Sequence, residues 1–366
     1  MRMCYNRHNI DKNYFLRRNK ILKKMRYFLF LVLSFVLVLS GCSESSPKDA
    51  TADSDKIQIV TTLFPQYDFA RQIAGDKADV TLLLPPGMES HSYEPTPADI
   101  IKINKADLFI YTGESMEQWA HKMIESVDND QVYVLDVSKD ITLLAPNSDD
   151  DHDHESEADH DHETEADHDH ESEADHDHDS EVEGDEHSED DGHYHAYDPH
   201  IWTSPVNAKM MVNNILEALC EVDPENADYY QANAEAYQLQ LDELNEEFEE
   251  VVANAKRDTI YHSGRFAMQY LVKQYGINYV SAPFEAEPSA ALVAQMINEI
   301  KADNIPVIYY EELITPKIAQ MISEETGAEM LLLHSCHNVS KEDFNNGVTY
   351  VSLMQQNVKN LRVGLN

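Results

Sequence analysis

The chain has 366 residues, enough for two domains of ordinary size, and its formal net charge is −41. This charge argues against nucleic acid as a partner, because phosphate binding requires a basic face, and it favours cations. Much of the negative charge lies in residues 149–195, and the composition outside that segment is typical of a folded protein.

Residues 1–41 have the features of a secretory signal peptide. A basic stretch ending at Arg26 precedes an apolar run from Tyr27 to Leu39, which is too short to span a bilayer comfortably. The run leads into Leu-Ser-Gly-Cys, which resembles a bacterial lipobox. The resemblance implies cleavage before Cys42 and attachment of lipid to its sulfur, with an uncleaved anchor helix as the alternative.

Residues 42–55 are rich in small and polar residues and predict a flexible tether. The mature protein is therefore expected on the outer face of the cytoplasmic membrane, held there by its lipid. Processing leaves two cysteines, Cys220 and Cys336. An extracytoplasmic setting permits a disulfide, but the sequence leaves the pairing open, and we favour two unpaired thiols.

Strand-like and helix-like segments alternate over residues 56–222, which predicts an N-terminal α/β lobe with a parallel sheet flanked by helices. The predicted strands are Ile57–Phe64, Asp79–Leu84, Asp107–Tyr111 and Val132–Val137. The predicted helices are Gln66–Ala74, Pro97–Lys105, Met116–Val127 and one that opens at Ser204-Pro205.

An eight-residue repeat interrupts this lobe at residues 149–195. Of the 18 histidines, 11 lie in this segment, and residues 149–191 contain 24 Asp and Glu but no Lys or Arg. With so little apolar surface to bury, the segment is expected to be disordered. His-rich tracts are typical of weak metal binding, and an acidic solubilising loop is the alternative. The repeated histidines are His152, His154, His160, His162, His168, His170, His176 and His178.

Residues 223–255 predict one long helix, roughly 48 Å at 1.5 Å per residue, that links two lobes. An apolar stripe marks it, made of Leu239, Leu241, Leu244, Phe248 and Val251. Residues 256–366 predict a C-terminal α/β lobe. Its strands are Thr259–His262, Tyr279–Ala282, Val307–Tyr310 and Met330–His334, and its helices are Arg265–Tyr275, Pro288–Asp303, Pro316–Thr326 and Val348–Leu361.

Five histidines share one position in this scheme, at the ends of predicted strands or in the loops that follow. They are His91, His200, His262, His334 and His337. A single histidine of this kind is more often packed or hydrogen-bonded than bound to metal. Five at one rim of two lobes favour a metal site, because ligands of open α/β sheets bind beyond the carboxyl ends of the strands.

Three motifs carry a resemblance to the zinc- and manganese-binding lipoproteins of ATP-driven importers. Leu84-Pro-Pro-Gly-Met-Glu-Ser-His-Ser-Tyr-Glu-Pro-Thr-Pro97 resembles their first metal motif, and Asp198-Pro-His-Ile-Trp resembles the second. His262, ahead of an aromatic-bearing helix, resembles the third. The resemblance spans residues 56–361 and implies that His91, His200 and His262 are metal ligands. An acidic, His-rich insertion before the second motif is typical of the zinc-uptake branch.

The fourth ligand is predicted to be His337, with His334 and Cys336 as alternatives. The resemblance aligns His337 with an aspartate of manganese-type relatives. Four neutral imidazoles favour tetrahedral zinc, and loss of the hard carboxylate makes manganese a poorer fit. Asp198 is a candidate hydrogen-bond partner of His200, and Glu311 is a candidate outer group of the site.

These features predict an extracytoplasmic zinc-binding subunit of an importer, with Zn²⁺ as its cargo. Its expected partners are an ABC permease and its ATPase subunit, and it is expected to act as a monomer and not as an enzyme. A manganese-binding importer subunit or adhesin is the alternative. A zinc hydrolase is disfavoured, because the chain lacks His-Glu-x-x-His and Gly-x-Ser-x-Gly motifs.

Overall fold

The computed structural model describes residues 56–90, 93–125, 127, 132–145, 197–282 and 288–366, and the statements below concern these ranges. Several predicted features lie outside them: the signal peptide, the tether with Cys42, His91 and the insertion 149–195 with its eight repeat histidines. In the described ranges no helix has both the length and the apolar character needed to cross a bilayer.

The first lobe is built on a four-stranded parallel sheet. Its strands are β1 (Ile57–Thr61), β2 (Ala78–Leu82), β3 (Leu108–Tyr111) and β4 (Tyr133–Asp136), in the order β2-β1-β3-β4. Its helices are α1 (Phe64–Ala74), α2 (Pro97–Ile103) and α3 (Ala120–Ile124). Thr96 caps α2 through its side chain, with Pro97 in the first turn.

The second lobe repeats this topology. Its strands are β5 (Thr259–Arg265), β6 (Asn278–Ala282), β7 (Val307–Tyr310) and β8 (Glu329–Leu332), all parallel, in the order β6-β5-β7-β8. The predicted fold class, two parallel-sheet lobes flanked by helices, is therefore confirmed. The helices that follow the long linking helix are α6 (Gln269–Tyr275), α7 (Ala290–Asp303), α8 (Lys317–Thr326), α9 (Lys341–Asn345) and α10 (Tyr350–Leu365).

The helix α4 (Pro205–Val222) completes the first lobe, and the long helix α5 (Ala227–Ala253) occupies the chain between the lobes. The predicted linking helix is shorter than 223–255, because Pro224–Asn226 form a 3₁₀ turn that precedes the α-helix. Its 27 residues span about 40 Å. Along it α5 packs against α1 and α4 of the first lobe and against α6 and α10 of the second.

The buried face of α5 follows a helical period. It consists of Tyr230, Ala234, Tyr237, Leu241, Leu244, Phe248 and Val251. Four of the five predicted stripe residues are confirmed, but Leu239 is wrong, because its side chain is 64% exposed. Leu239 lies two positions before Leu241, so the helical turn places it on the opposite face.

One apolar core runs through both lobes. It includes Ile59 and Leu108 of the first sheet, Ile260 and Val307 of the second, and the buried face of α5. Burial of a large aliphatic or aromatic side chain contributes about 1.5–3 kcal/mol. The two sheets are therefore joined by packed side chains as well as by the covalent chain.

The bounds of most predicted elements differ from those in the structure by up to four residues. The strand predicted to end at His262 continues to Arg265 through a shift in register against β6. As a consequence α6 begins at Gln269, and the prediction of a helix from Arg265 is wrong. The helix predicted from Met116 begins only at Ala120, and the short helix α9 was not predicted.

Candidate metal centre

In each sheet the order in which successive strands are added reverses between the two central strands. In the first lobe these are β1 and β3, and in the second they are β5 and β7. The carboxyl ends of such strands form a crevice where open α/β folds bind ligands. His262 lies on β5 at this crevice, opposite Tyr309 of β7.

His200 is fixed by the segment that follows the predicted insertion. Asp198 forms an antiparallel bridge with Leu144, and the Tyr270 hydroxyl donates to the Asp198 carbonyl at 2.7 Å and accepts from the Leu144 amide at 3.0 Å. Leu144 and Asp198, which lie on either side of residues 146–196 in the sequence, are thus held side by side. Residues 201–203 then form a single 3₁₀ turn.

The Asp198 carboxylate holds the His200 ring, as predicted for these two residues. Its Oδ1 atom accepts from the His200 backbone amide at 2.8 Å and lies 2.7 Å from Nδ1 of the ring. A carboxylate accepts only, so the proton of a neutral imidazole lies on Nδ1. The lone pair is then on Nε2, the nitrogen that would bind a metal.

His337 lies against His200 although 137 positions separate them in the sequence. Their ring centroids are 4.5 Å apart at an interplanar angle of 80°. The fully buried Trp202 contacts both rings, with centroids 5.6 Å from His200 and 5.1 Å from His337. The Nε2 atoms of both histidines are buried from solvent.

The first lobe holds the His337 loop by its backbone. The Trp202 indole donates to the Ser335 carbonyl at 2.7 Å, and the Phe64 amide donates to the His337 carbonyl at 3.2 Å. Between Ser335 and His337 the chain turns at Cys336, whose φ of 63° is in the left-handed region. This conformation costs an L-residue roughly 1–2 kcal/mol, and the surrounding contacts sustain it.

His262 is buried on β5 and is only 2% exposed. Its Nδ1 atom lies 3.3 Å from the backbone nitrogen and carbonyl oxygen of Gly264, and its ring contacts Phe266 edge to face. Burial lowers the pKa of His262 to about 4. The ring is therefore neutral at pH 7, which is the form that ligates metal.

The two alternative fourth ligands have other contacts. The His334 Nδ1 accepts from the Cys336 amide at 2.9 Å. The Asn357 side chain accepts from the backbone amide of His334 and donates to its carbonyl. Burial raises the pKa of the Cys336 thiol well above its ordinary value, which opposes the thiolate that a metal requires. Cys220 and Cys336 are both free thiols, as favoured from the sequence.

A cleft opens beside His337. It is lined by residues 88–90, Arg265, residues 311–314, Ser335, His337 and Asn338. The Asn338 side chain donates to the carbonyls of Pro85 and Met88 at 2.8 and 2.9 Å. These bonds fasten the first-motif loop, which leads to His91, onto the His337 loop.

His91 lies outside the described residues, so its position relative to the other histidines stays a prediction. The residue before it, Ser90, lines the same cleft as His337. Among the described residues no group of three His, Cys, Asp or Glu side chains forms a metal-binding cluster. The structure brings His200 and His337 together and places His262 at the crevice end of β5.

Glu312 is a residue of the site that sequence reasoning missed. Its carboxylate accepts from the Ser335 backbone amide at 2.9 Å and from the Ser335 hydroxyl. The predicted outer group, Glu311, also lines the cleft, where a β-carbon on Gly264 would lie 2.7 Å from its Oε1. A role for Glu311 toward a ligand stays a prediction. The sequence signal for both glutamates was their position as an acidic pair directly after the predicted strand Val307–Tyr310.

Two α/β lobes on one long helix, with buried histidines at the crevice, define a solute-binding protein that could hold a metal cation. The chain belongs to the family described as ZnuA, zinc-uptake complex component A, periplasmic, whose profile matches residues 59–364. The resemblance to zinc-type importer proteins in the sequence is thereby confirmed.

Named relatives agree with the family. The chain is 34% identical to the high-affinity zinc uptake system protein ZnuA of Bacillus subtilis, over 92% of this chain and 97% of that one. It is 33% identical to the zinc-binding lipoprotein AdcA of Streptococcus pneumoniae, over 91% of this chain but 60% of that protein's length.

Solved structures share the fold. The Zn(II)-bound ZnuA-like domain of S. pneumoniae AdcA superposes with a TM-score of 0.65 at 29% identity, covering 85% of this chain and 99% of that domain. The laminin-binding protein Lmb of Streptococcus agalactiae, described as having adhesin and metal-transporting activity, gives 0.63 at 25% identity, covering 85% of this chain and all of that one.

Proposed function

We propose that the protein captures Zn²⁺ between its lobes and delivers it to the permease of an ATP-driven importer. The observation that carries the proposal is the pair of buried imidazoles, His200 and His337, whose ring centroids lie 4.5 Å apart. Each Nδ1 has a hydrogen-bond partner, Asp198 Oδ1 and Ser335 Oγ respectively. This arrangement presents both Nε2 atoms for ligation.

The proposed ligand set is His91, His200, His262 and His337. Four neutral nitrogen ligands suit tetrahedral zinc at roughly 2.0–2.1 Å per bond. The low pKa of His262 and the carboxylate on His200 support two members of the set. The connection from Asn338 to the first-motif loop supports the approach of His91 to the other lobe.

Isothermal titration on protein lacking residues 149–195 tests zinc capture. One tight stoichiometric site is expected, and His200→Ala or His337→Ala should weaken it by more than about 100-fold, since even loss of an outer partner costs 10–100-fold. His334→Ala is the matched control and should retain the site. Absence of a tight site in the parent protein would refute the proposal.

Selectivity for zinc is proposed to depend on the fourth nitrogen ligand. His337→Asp replaces imidazole with a hard carboxylate and should shift preference toward manganese. Competition titrations with both metals measure the ratio of affinities. An unchanged ratio would show that His337 is not a ligand.

The proposed delivery partners are a permease and its ATPase subunit, with the protein acting as a monomer tethered by lipid on Cys42. Cys42→Ala should release the protein from the membrane fraction, and recovery of the variant still in that fraction would contradict the anchor. The proposed role is not enzymatic, because a zinc ion with four protein ligands has no open position for substrate.

The insertion is proposed to collect metal weakly beside the cleft. Its eight repeat histidines should release metal as the pH falls through about 6.5. Because Leu144 and Asp198 are bridged at its base, deletion of residues 149–195 should remove weak equivalents and leave the tight site. Loss of the tight site on deletion would contradict an accessory role.

A further inference from the structure

We propose that Glu312 and Ser335 are positioning residues that set the tautomer of His337. The inference rests on the proposed function, because the tautomer matters only if His337 binds the cargo metal. The three side chains form a chain of hydrogen bonds that we call the His337 relay: Glu312, then Ser335, then the imidazole.

Ser335 is hydrogen-bonded to both of the other members of the relay. The Glu312 carboxylate accepts from the Ser335 amide through Oε2 at 2.9 Å and from the Ser335 hydroxyl through Oε1. The same hydroxyl oxygen lies 2.5 Å from Nδ1 of His337. Ser335 and His337 are 5% and 8% exposed, so water competes little for these bonds.

The hydrogen bonds of the relay allow one arrangement of its protons. The serine hydroxyl has a single proton, and it donates that proton to the Glu312 carboxylate, which accepts only. Ser335 Oγ can then interact with the ring only as an acceptor. His337 must therefore have its proton on Nδ1, which puts the lone pair on Nε2.

The result matches that at His200 by a longer route. Asp198 acts on Nδ1 of His200 directly, whereas Glu312 acts on His337 through the Ser335 hydroxyl. His334 does not take the same carboxylate, because its Nδ1 lies 3.8 Å from Glu312 Oε1, beyond hydrogen-bonding distance, and accepts from the Cys336 amide instead. The relay thus distinguishes His337 from its neighbour in the loop.

Glu312→Gln is the most informative variant. The Ser335 amide still requires an acceptor, so the glutamine oxygen is expected to face it and the NH₂ group to face Ser335 Oγ. The serine proton must then turn toward Nδ1 of His337, which inverts the tautomer and places a proton on Nε2. Ser335→Ala removes the bridge and leaves the tautomer unset.

Ser340→Ala is the matched control. The Ser340 hydroxyl also donates to a carboxylate, Asp343 Oδ2 at 2.6 Å, and accepts from a backbone amide at 3.0 Å. It lies five positions after Ser335 and caps α9. This variant loses the same kinds of bond without touching a histidine, so it reports the effect of local destabilisation alone.

The experiment combines long-range ¹H–¹⁵N correlation NMR of the metal-free protein with zinc titration. The parent protein should show His337 protonated on Nδ1, and Glu312→Gln should show it protonated on Nε2. Zinc affinity should fall 10–100-fold in Glu312→Gln and in Ser335→Ala, and Ser340→Ala should change neither tautomer nor affinity.

Three results would overturn the relay: protonation on Nε2 in the metal-free parent, an unchanged tautomer in Glu312→Gln, or an inverted tautomer without loss of zinc affinity. The first two are read without metal. If the parent protein bound no zinc tightly, the proposed function would fail while the tautomer measurement remained valid, so the two failures are distinguishable.

Discussion

At the scale of single residues, the contribution of Asp198 to zinc binding can be tested by removing the hydrogen-bond acceptor that it supplies to His200. Its Oδ1 accepts from both the amide and the ring of His200. Asp198→Ala removes both bonds and should weaken zinc binding by about 10–100-fold. Asp198→Asn keeps an amide oxygen at this position and should lose less. Titration of both variants decides, and equal losses would show that charge and not orientation is the contribution of Asp198.

Glu117 provides a second residue-scale prediction, on stability. Burial raises the pKa of this carboxyl from its ordinary 4.5 to about 7, even though it accepts from Thr62 and Thr112. Between these pH values the folded state holds a proton that the unfolded state has lost. The contribution of Glu117 to the free energy of unfolding therefore falls as the pH rises from about 4.5 to about 7. Above about pH 7 this contribution no longer changes with pH.

Glu117→Gln stays neutral and should lack that slope. The free energy of unfolding of the variant, relative to that of the parent protein, should rise by roughly 2–3 kcal/mol between pH 4.5 and pH 8. This range follows from about 1.4 kcal/mol for each unit of pKa shift. Urea unfolding at several pH values measures the difference. Glu114→Gln, at an exposed position three residues earlier, is the control. Parallel pH curves for Glu117→Gln and the parent protein would refute the shifted pKa.

The sequence predicted some of these residues and not others for a physical reason. Asp198 precedes His200 by two positions, so a local hydrogen bond was predictable. Glu312 reaches Ser335, the hydrogen-bond partner of His337, only because β7 and the loop after β8 meet at one sheet edge. That contact depends on strand order, which no local pattern encodes. The choice of Glu312 over Glu311 depends further on which way each side chain leaves the strand end.

At the scale of elements, one buried carboxylate joins three helices. Asp68 of α1 accepts from the first amide of α10, that of Tyr350, at 2.8 Å, and the Tyr237 hydroxyl of α5 lies 3.5 Å away. Asp68 has no exposed surface, and burial raises its pKa. The bond satisfies a donor that every helix leaves open at its N-terminus.

Asp68→Ala should therefore lower the free energy of unfolding by about 2–4 kcal/mol, because a buried amide and a hydroxyl lose their acceptor. Asp76→Ala, at an exposed position just beyond the end of α1, should cost less than about 0.5 kcal/mol. Chemical denaturation measures both. Similar values for the two variants would show that the junction of helices does not depend on Asp68.

Periodicity predicted most elements, and it failed where tertiary contacts decide the ends. The strands β3 and β7 were placed within one residue, because four consecutive apolar positions in a buried parallel strand are distinctive. The end of β5 was misplaced, since His262, Ser263 and Gly264 give no strand signal of their own. The strand continues through them because His262 pairs with Tyr309 of β7 and Arg265 pairs with Ala282 of β6.

At the scale of the whole molecule, the shared core limits how far the lobes can separate. Residues of both sheets and of α5 belong to one packed cluster. A wide hinge opening would expose part of that cluster at about 25 cal/mol per Å² of apolar area. The long helix contacts helices of both lobes, so bending between the lobes would also disturb its own packing.

Zinc binding should consequently be accompanied by small local movement and not by closure of two separated domains. In protein lacking residues 149–195, the radius of gyration from small-angle X-ray scattering should change by less than about 0.5 Å on zinc addition, within the range of pre-organised binding. His200→Ala, which should not hold the metal, is the control for non-specific effects of zinc. A decrease above about 1 Å in the parent protein alone would show that the continuous core does not restrain the lobes.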